Sequence, residues 1–111
     1  MGIKGDKITQ GSVLAAAQLV KALDSVGAIS SKKMFGGHGI FHKGKMFGIV
    51  NSKGTAYFKV NDTNRKEYEE NGAQKHGKMP YFSIPESILN NPVLLLEWAK
   101  KALKTIKYDT P

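Results

Sequence analysis

The sequence lacks cysteine altogether, has a single arginine, and contains no long apolar run. Without cysteine the chain forms no disulfide and no thiolate metal site, which fits a reducing cytoplasm. No apolar stretch approaches the roughly 20 residues that a membrane-spanning helix needs. The first residues also lack the apolar centre of a signal peptide. We therefore expect a cytoplasmic protein that makes no use of a membrane.

Negative charge is scarce as well. The 111 residues include 17 basic and nine acidic side chains, a formal net charge of +8. Excess positive charge attracts polyanions such as nucleic acids. Arg65 is the one basic residue that is not a lysine, and planar, bidentate reading of guanine favours arginine over lysine. The composition thus predicts loose attraction to a phosphate backbone and no sequence-specific readout.

Groups suited to catalysis or metal binding are few. The acidic residues lie mostly in polar helical turns, and no Ser-His-Asp order is present. His38 and His42 would share one face of a strand, but no third ligand stands nearby in sequence. The glycines of residues 36–39 open no helix and precede no Gly-Lys-Ser/Thr motif, so a phosphate-binding loop is not expected. We predict a non-enzymatic protein with no cofactor and no bound metal.

The most informative stretch is residues 32–48, which read KKMFGGHGIFHKGKMFG. Aromatic and branched residues here favour strands, and the densely spaced glycines allow close backbone approach or positive φ. We interpret the stretch as a β-hairpin whose turn is Lys43-Gly44. The resulting register places Phe41 opposite Met46, Ile40 opposite Phe47, and Gly39 opposite Gly48.

Both faces of this hairpin would carry apolar side chains, because successive strand residues alternate sides. One face is predicted to hold Ile40, Phe47 and Ile49, and the other Phe41, Met46 and Val50. Such a pattern is unusual for a strand pair with one face in water. Either helices cover both faces, or a second copy of the chain covers one of them. The candidate partner-binding residues are Phe41, Met46, Phe47 and Arg65.

Helices and further strands are predicted on both sides of the hairpin. Ser12 is a good N-cap for a helix over residues 13–26, whose buried stripe would be Val13, Ala16, Ala17, Val20 and Leu23. The predicted strands span residues 28–35, 39–42, 45–50, 55–60 and 79–84. A polar helix over residues 62–71 precedes the last strand, and Asn91-Pro92 opens a final helix over residues 93–107.

These elements predict one domain of the α+β class. Its two layers would contain a central antiparallel sheet of about five strands, in the order α-β-β-β-β-α-β-α. Residues 1–9 are predicted to be a mobile lead-in and residues 108–111 a tail.

Lysines gather on one side of the last predicted helix. The candidate nucleic-acid-binding residues are Lys100, Lys101, Lys104 and Lys107, with Lys32 and Lys33 from the start of the hairpin. A structural interpretation competes, because cations stabilise a helix carboxy terminus by about 0.3–1 kcal/mol each and Glu97 precedes Lys101 at the favourable i,i+4 spacing. Arg65 is open to two interpretations, pinning its helix to a nearby acceptor or binding an anion or a partner.

Several short motifs occur in the order typical of one protein family. They are the basic pair before Met-Phe-Gly-Gly (32–37), Met-Phe-Gly (46–48), Phe-Lys-Val-Asn-Asp-Thr-Asn-Arg (58–65), Met-x-Tyr-x-x-x-Pro (79–85) and Leu-Leu-Glu-Trp-Ala (95–99). In this ordered set the chain resembles the TfoX N-terminal domain family, over roughly residues 12–104. The resemblance implies a two-layer α/β domain and a role in regulating natural competence in bacteria, alongside the cyclic-AMP receptor protein. Full-length regulators of that family carry a second, helical domain, which we do not expect in this chain.

Three hypotheses about function follow. The leading one is a TfoX-like regulatory domain that acts through protein–protein contacts, with the transcription machinery as one candidate partner and a homodimer as one arrangement. The second is a weak, sequence-neutral nucleic-acid binder that uses the lysine-rich helix face. The third is a small-molecule binder or enzyme with its pocket at residues 36–42.

Overall fold

Five antiparallel strands in sequence order form the sheet of the computed structural model, which describes residues 10–34 and 36–106. The strands are β1 (Ile29–Met34), β2 (Gly37–His42), β3 (Lys45–Val50), β4 (Ala56–Lys59) and β5 (Tyr81–Ser83). The helices are α1 (Gln10–Ala22), α2 (Arg65–Glu70), α3 (Glu86–Leu89) and α4 (Pro92–Leu103), with a 3₁₀ turn at Asp24–Val26. The predicted α+β class and element order are confirmed; the short α3 was not predicted. The predicted lead-in and tail lie outside the described residues.

The β2–β3 hairpin turns where the sequence predicted. Lys43 and Gly44 connect the strands with φ values of 51° and 81°, and positive φ at both central residues matches the right-handed twist of the strands. Phe41 lies opposite Met46, as predicted. The rest of the predicted register is wrong: Ile40 pairs with Gly48, and Gly39 pairs with Ile49.

A β-bulge at Phe47 explains the changed register. The pairing shifts between Ile40 and Phe41, so that β3 carries one more residue than β2 at this point. An extra residue moves every following side chain to the other face of the sheet. Ile49 therefore joins the face of Phe41 and Met46, and Val50 joins that of Ile40. Both assignments reverse the predicted ones.

Helix α1 packs on the sheet with a stripe that shares only Ala16 and Leu23 with the predicted one. Its buried residues are Ser12, Ala16 and Leu19, and Leu23 just beyond its end is also buried. Val13 is 44% exposed, although it was predicted to be buried. The prediction was wrong for Val13 because apolar residues occupy almost the whole circumference of this helix, so periodicity alone does not select the buried side. Ser12 also lies inside the helix and not at its N-cap.

The other helices pack on the same face of the sheet as α1. The core contains Phe47 and Phe58 from the strands, Tyr68 from α2, and Leu95 and Trp98 from α4. The last helix begins as predicted, because Oδ1 of Asn91 accepts the Leu94 N–H at 3.1 Å and a proline follows at the first helical position. The sheet therefore has a helix-covered face and a second face, which we call the outer face.

Candidate interaction surface

The outer face carries the apolar side chains that β-strand alternation directs away from the helices. They are Met34, Phe41, Met46, Ile49, Tyr57 and Tyr81, as the strand registers show. Ile49 and Tyr81 are almost fully buried yet lie outside the main core cluster. Met34, Phe41 and Met46 remain half-buried. In the described part of the chain this face carries no helix.

Gly39 forms the floor of the half-buried group. An added Cβ at this position would lie 2.7 Å from Sδ of Met34, 2.9 Å from Sδ of Met46, and 2.9 Å from Cε1 of Phe41. The three side chains therefore converge over a backbone position that carries no side chain of its own. Methionine is flexible and polarizable and adapts to differently shaped partners. We call Met34, Phe41 and Met46 the Met-Phe cluster.

Aromatic residues cover the part of the outer face that is formed by β4 and β5. The Tyr81 hydroxyl donates to the Met46 carbonyl at 3.2 Å, and burial raises the pKa of Tyr81 to about 12. The Tyr57 ring meets the edge of His76 with centroids 4.7 Å apart, and Asn51 donates to the Tyr57 hydroxyl at 3.2 Å. The loop after α2 thus covers the β4–β5 side of the face, whereas the Met-Phe cluster lies on the β1–β3 side.

Of the four predicted partner-binding residues, Phe41 and Met46 lie together in the Met-Phe cluster. Phe47 lies on the opposite side of the sheet, fully buried and stacked on Phe58 with centroids 5.9 Å apart. Its side chain is part of the core because strand alternation places it opposite to Met46, and it offers no surface to a partner in this conformation.

Arg65 lies apart from the other three, at the start of α2. Its guanidinium forms an ion pair with the Asp62 carboxylate, and both side chains are substantially exposed. The neighbouring Asn64 is buried instead: its Oδ1 accepts the Asn61 N–H at 2.8 Å, and its Nδ2 donates to the Lys59 carbonyl at 3.2 Å. Arg65 therefore contacts a carboxylate of the turn before α2, its role in binding a partner stays a prediction, and the buried Asn64 ties that turn to β4.

The described candidate nucleic-acid-binding lysines come from two separate elements, β1 and the end of α4. Lys101 is held by Glu67 of α2, with its Nζ 2.9 Å and 2.8 Å from the two carboxylate oxygens. The predicted pairing of Lys101 with Glu97 is therefore replaced by a contact between helices. Lys100 is exposed on α4, Lys104 is exposed at the C-cap of that helix, and Lys107 lies outside the described residues. Lys32 and Lys33 are exposed on β1 at the edge of the sheet.

His38 is buried and serves to connect α1 with the sheet. Its Nδ1 lies 3.2 Å from the Ser12 hydroxyl oxygen, and both side chains are buried. His42 shares its strand face but is only partly buried. Over residues 10–34 and 36–106, no group of three or more histidine, aspartate or glutamate side chains is arranged to hold a metal ion.

A surface cavity of about 350 Å³ lies between α1, α3 and α4. Its lining includes Ala15, Gln18, Leu19, Leu89, Asn90 and Leu95. None of the lining residues is titratable, so the cavity has no group for acid–base chemistry. It also lies away from residues 36–42, where the small-molecule hypothesis placed its pocket.

Sequence reasoning missed Met34, Ile49, Tyr57 and Tyr81 as members of the outer face. The alignment of Tyr57 with the hairpin depends on the β3–β4 register, which pairs it with Ile49. Met34 belongs to the face through its pairing with Gly37. The Met-Phe-Gly repeat did indicate the correct stretch of chain, because two of the three clustered side chains come from it.

Comparison with known proteins identifies a family that the chain resembles. The family model of the TfoX N-terminal domain matches residues 21–106. No curated protein matches the chain. No helix in the described ranges is both long and apolar enough to cross a membrane.

Proposed function

Because the chain belongs to the TfoX N-terminal domain family, we propose that it is a non-enzymatic regulatory domain that acts through contacts with other proteins. The proposal includes a part in the transcriptional regulation of natural competence, which is the role that the family resemblance implies. It also includes a cytoplasmic location, where a transcriptional regulator would meet its partners.

The Met-Phe cluster is the observation that supports protein contact. Three half-buried apolar side chains lie side by side on a sheet face that has no helix over the described residues. Contiguous apolar surface of this kind usually marks an interaction site, and methionine with aromatic residues is enriched in the centres of interfaces. The titratable groups needed for acid–base chemistry do not converge there, which favours binding over catalysis.

The nucleic-acid alternative has weaker support from the geometry. Of the three described lysines of the α4 stripe, Lys101 is neutralised by Glu67. Lys100 and Lys104 are left, and two cations without an interleaved aromatic residue make a poor platform for nucleic acid.

Photocrosslinking from the Met-Phe cluster tests the proposal. We would place a benzophenone amino acid at Phe41 in the full-length protein and irradiate living cells of the source organism. A contact through this cluster predicts a discrete crosslinked protein that is absent when the benzophenone is placed at Ser87, which is exposed on α3. The adduct should weaken at least about tenfold when Met46→Glu introduces a charge into the apolar cluster.

A matched variant and a cellular readout complete the test. Thr55→Glu adds the same charge at an exposed position before β4 and should leave the adduct unchanged. If the adduct reflects competence regulation, Met46→Glu should also lower the uptake of exogenous DNA, and Thr55→Glu should not. Identical adducts from Phe41 and Ser87, or adducts to nucleic acid alone, would show that the cluster is not a protein-binding site.

A further inference from the structure

The two edges of the sheet differ in how many of their main-chain N–H and C=O groups form hydrogen bonds. At the β5 edge, the Ser83 N–H donates to the Gln74 carbonyl and the His76 N–H donates to the Tyr81 carbonyl, both at 2.8 Å. Strand β1 forms the other edge and pairs only with β2. Its four central residues are all exposed. The described part of the chain thus leaves one edge open, and an open edge is a template for another strand.

The register identifies which main-chain groups of β1 face outward. The Lys43 N–H donates to the Ala28 carbonyl at 3.2 Å, so residues 28 and 43 form a hydrogen-bonded pair. In an antiparallel ladder such pairs alternate with pairs that exchange no bonds. Ser30, Lys32 and Met34 therefore direct their N–H and C=O groups toward β2. Ile29, Ser31 and Lys33 direct theirs outward.

The charged side chains of β1 itself are Lys32 and Lys33, both positive, and Asp24 lies in the 3₁₀ turn before the strand. Residues 25–61, which form β1 to β4 and their turns, contain six lysines and neither aspartate nor glutamate. The lysines are Lys32, Lys33, Lys43, Lys45, Lys53 and Lys59. Lys32 and Lys33 are consecutive on β1, so their side chains lie on opposite faces of the sheet. A strand added at this edge would have a cation on each side.

We propose that an extended, acidic segment of a partner protein binds to β1 as an additional strand. Its main chain pairs with Ile29, Ser31 and Lys33, and its carboxylates lie beside Lys32 and Lys33. Strand addition of this kind draws affinity from main-chain hydrogen bonds and specificity from the flanking side chains. The proposal rests on the protein-contact function above and extends it to a second surface next to the Met-Phe cluster, since Met34 belongs to both.

Two other occupants fit the edge less well. A second copy of the chain would bring four lysines together in one strand pair, and like charges on paired strands are destabilising. A nucleic-acid backbone would accept hydrogen bonds from the outward N–H groups. It offers few donors, however, for the outward carbonyl groups that alternate with them. It would also meet lysines directed to two opposite faces. An acidic peptide satisfies both the donors and the acceptors.

Fluorescence anisotropy with the whole protein tests the proposal. The probe is a short fluorescein-labelled peptide with two central glutamates flanked by alternating threonine and valine. Ser31→Pro removes one outward N–H and should weaken binding about tenfold. Ser31→Ala keeps the N–H and should bind as the parent does. Lys32→Glu with Lys33→Glu leaves the main chain intact and should abolish binding by charge reversal.

Modified peptides provide a test that does not depend on the folding of the proline variant. A peptide of the same sequence with N-methyl groups on every amide of its central segment keeps its charge but cannot donate a main-chain hydrogen bond from either edge, and it should not bind. Equal binding of the methylated peptide, or of an oligothymidylate of the same charge, would show plain polyanion attraction and would overturn the proposal. So would the absence of peptide binding, or a β1-mediated dimer that sedimentation detects and Ser31→Pro abolishes.

The outcomes for the two proposals remain separable. Crosslinking from Phe41 reports on the Met-Phe cluster, whereas the peptide assay reports on the main chain of Ser31. If the peptide does not bind but the Phe41 adduct still forms, the strand-addition proposal is wrong and the protein-contact proposal stands. If the peptide binds but no Phe41 adduct forms, β1 is a peptide-binding edge and the Met-Phe cluster is not a contact site.

Discussion

Gly37 and Gly39 lie two residues apart on β2 but limit substitution in different ways. A Cβ at Gly37 would lie 2.0 Å from the Val50 carbonyl oxygen, which belongs to the backbone of the neighbouring strand. A Cβ at Gly39 would instead meet the ends of methionine and phenylalanine side chains. A backbone atom can move away from a new methyl group only if the strands separate, whereas a long side chain can do so by changing its rotamer.

We predict that Gly37→Ala destabilises the protein by about 3 kcal/mol or more. Gly39→Ala should cost less than about 1.5 kcal/mol, because the Met-Phe cluster can move away from the new methyl group. Urea denaturation of the two variants measures the difference directly. Equal losses of unfolding free energy would mean that the sheet does not constrain the two positions differently.

At the scale of elements, α2 has only six residues and one buried side chain. A helix of this length is not stable alone, and two contacts hold it to α4. The ring of Tyr68 meets Trp98 with centroids 4.6 Å apart, and Glu67 pairs with Lys101. The exposed ion pair contributes less than about 1 kcal/mol, so the aromatic contact is the main attachment.

The ring of Tyr68, and not its hydroxyl, should account for this attachment. The hydroxyl is buried, and within residues 10–34 and 36–106 it has no hydrogen-bond partner. Tyr68→Phe should therefore change the free energy of unfolding by less than about 1 kcal/mol. Tyr68→Ala should lower it by about 3–5 kcal/mol, because it leaves a cavity beside Trp98. A large loss in the phenylalanine variant would show that the hydroxyl has a stabilising partner after all.

The same pair of proteins should differ in alkaline solution. Burial and the nearby Glu67 raise the pKa of Tyr68 well above its ordinary value of 10.0. Above pH 10 the unfolded chain ionises this phenol while the folded chain keeps its proton, so unfolding releases a proton and stability falls as the pH rises. Tyr68→Phe should reduce that decline above pH 10 and leave stability near pH 7 almost unchanged. Urea denaturation across this pH range provides the comparison.

At the scale of the whole molecule, positive charge is distributed unevenly. Residues 25–61 contain lysines without acidic residues, whereas α4 contains Glu97 and its Lys101 is paired with Glu67. Nearby carboxylates weaken the local attraction to polyanions. The field that a polyanion meets should therefore be stronger at the β1 edge than along the last helix.

Retention on immobilised heparin should report this asymmetry. Lys32→Gln with Lys33→Gln removes two charges from the β1 edge, and Lys100→Gln with Lys104→Gln removes two from α4. The first pair should lower the eluting salt concentration more than the second, although the net charge changes equally. A larger decrease in eluting salt concentration for the Lys100 and Lys104 variant would favour the last helix as the nucleic-acid surface.

Local sequence signals were sufficient for the element types and for several boundaries. Asn91-Pro92 marked the start of α4, and Lys43-Gly44 marked the hairpin turn. Each of these depends on backbone preferences or on side-chain periods within a few residues. The family and the α+β class also followed from the sequence, because the motifs occur in a fixed order along the chain.

Only the tertiary structure decided which apolar side chains share a face. The bulge at Phe47 depends on how β3 packs against both of its neighbours, so the placement of Ile49 on the outer face and of Val50 in the core is not visible in a local pattern. The stripe of α1 was likewise selected by packing and by the Ser12–His38 contact. The composition of the outer face and the open edge at β1 are properties of strand register and order, which depend on contacts between residues distant in sequence.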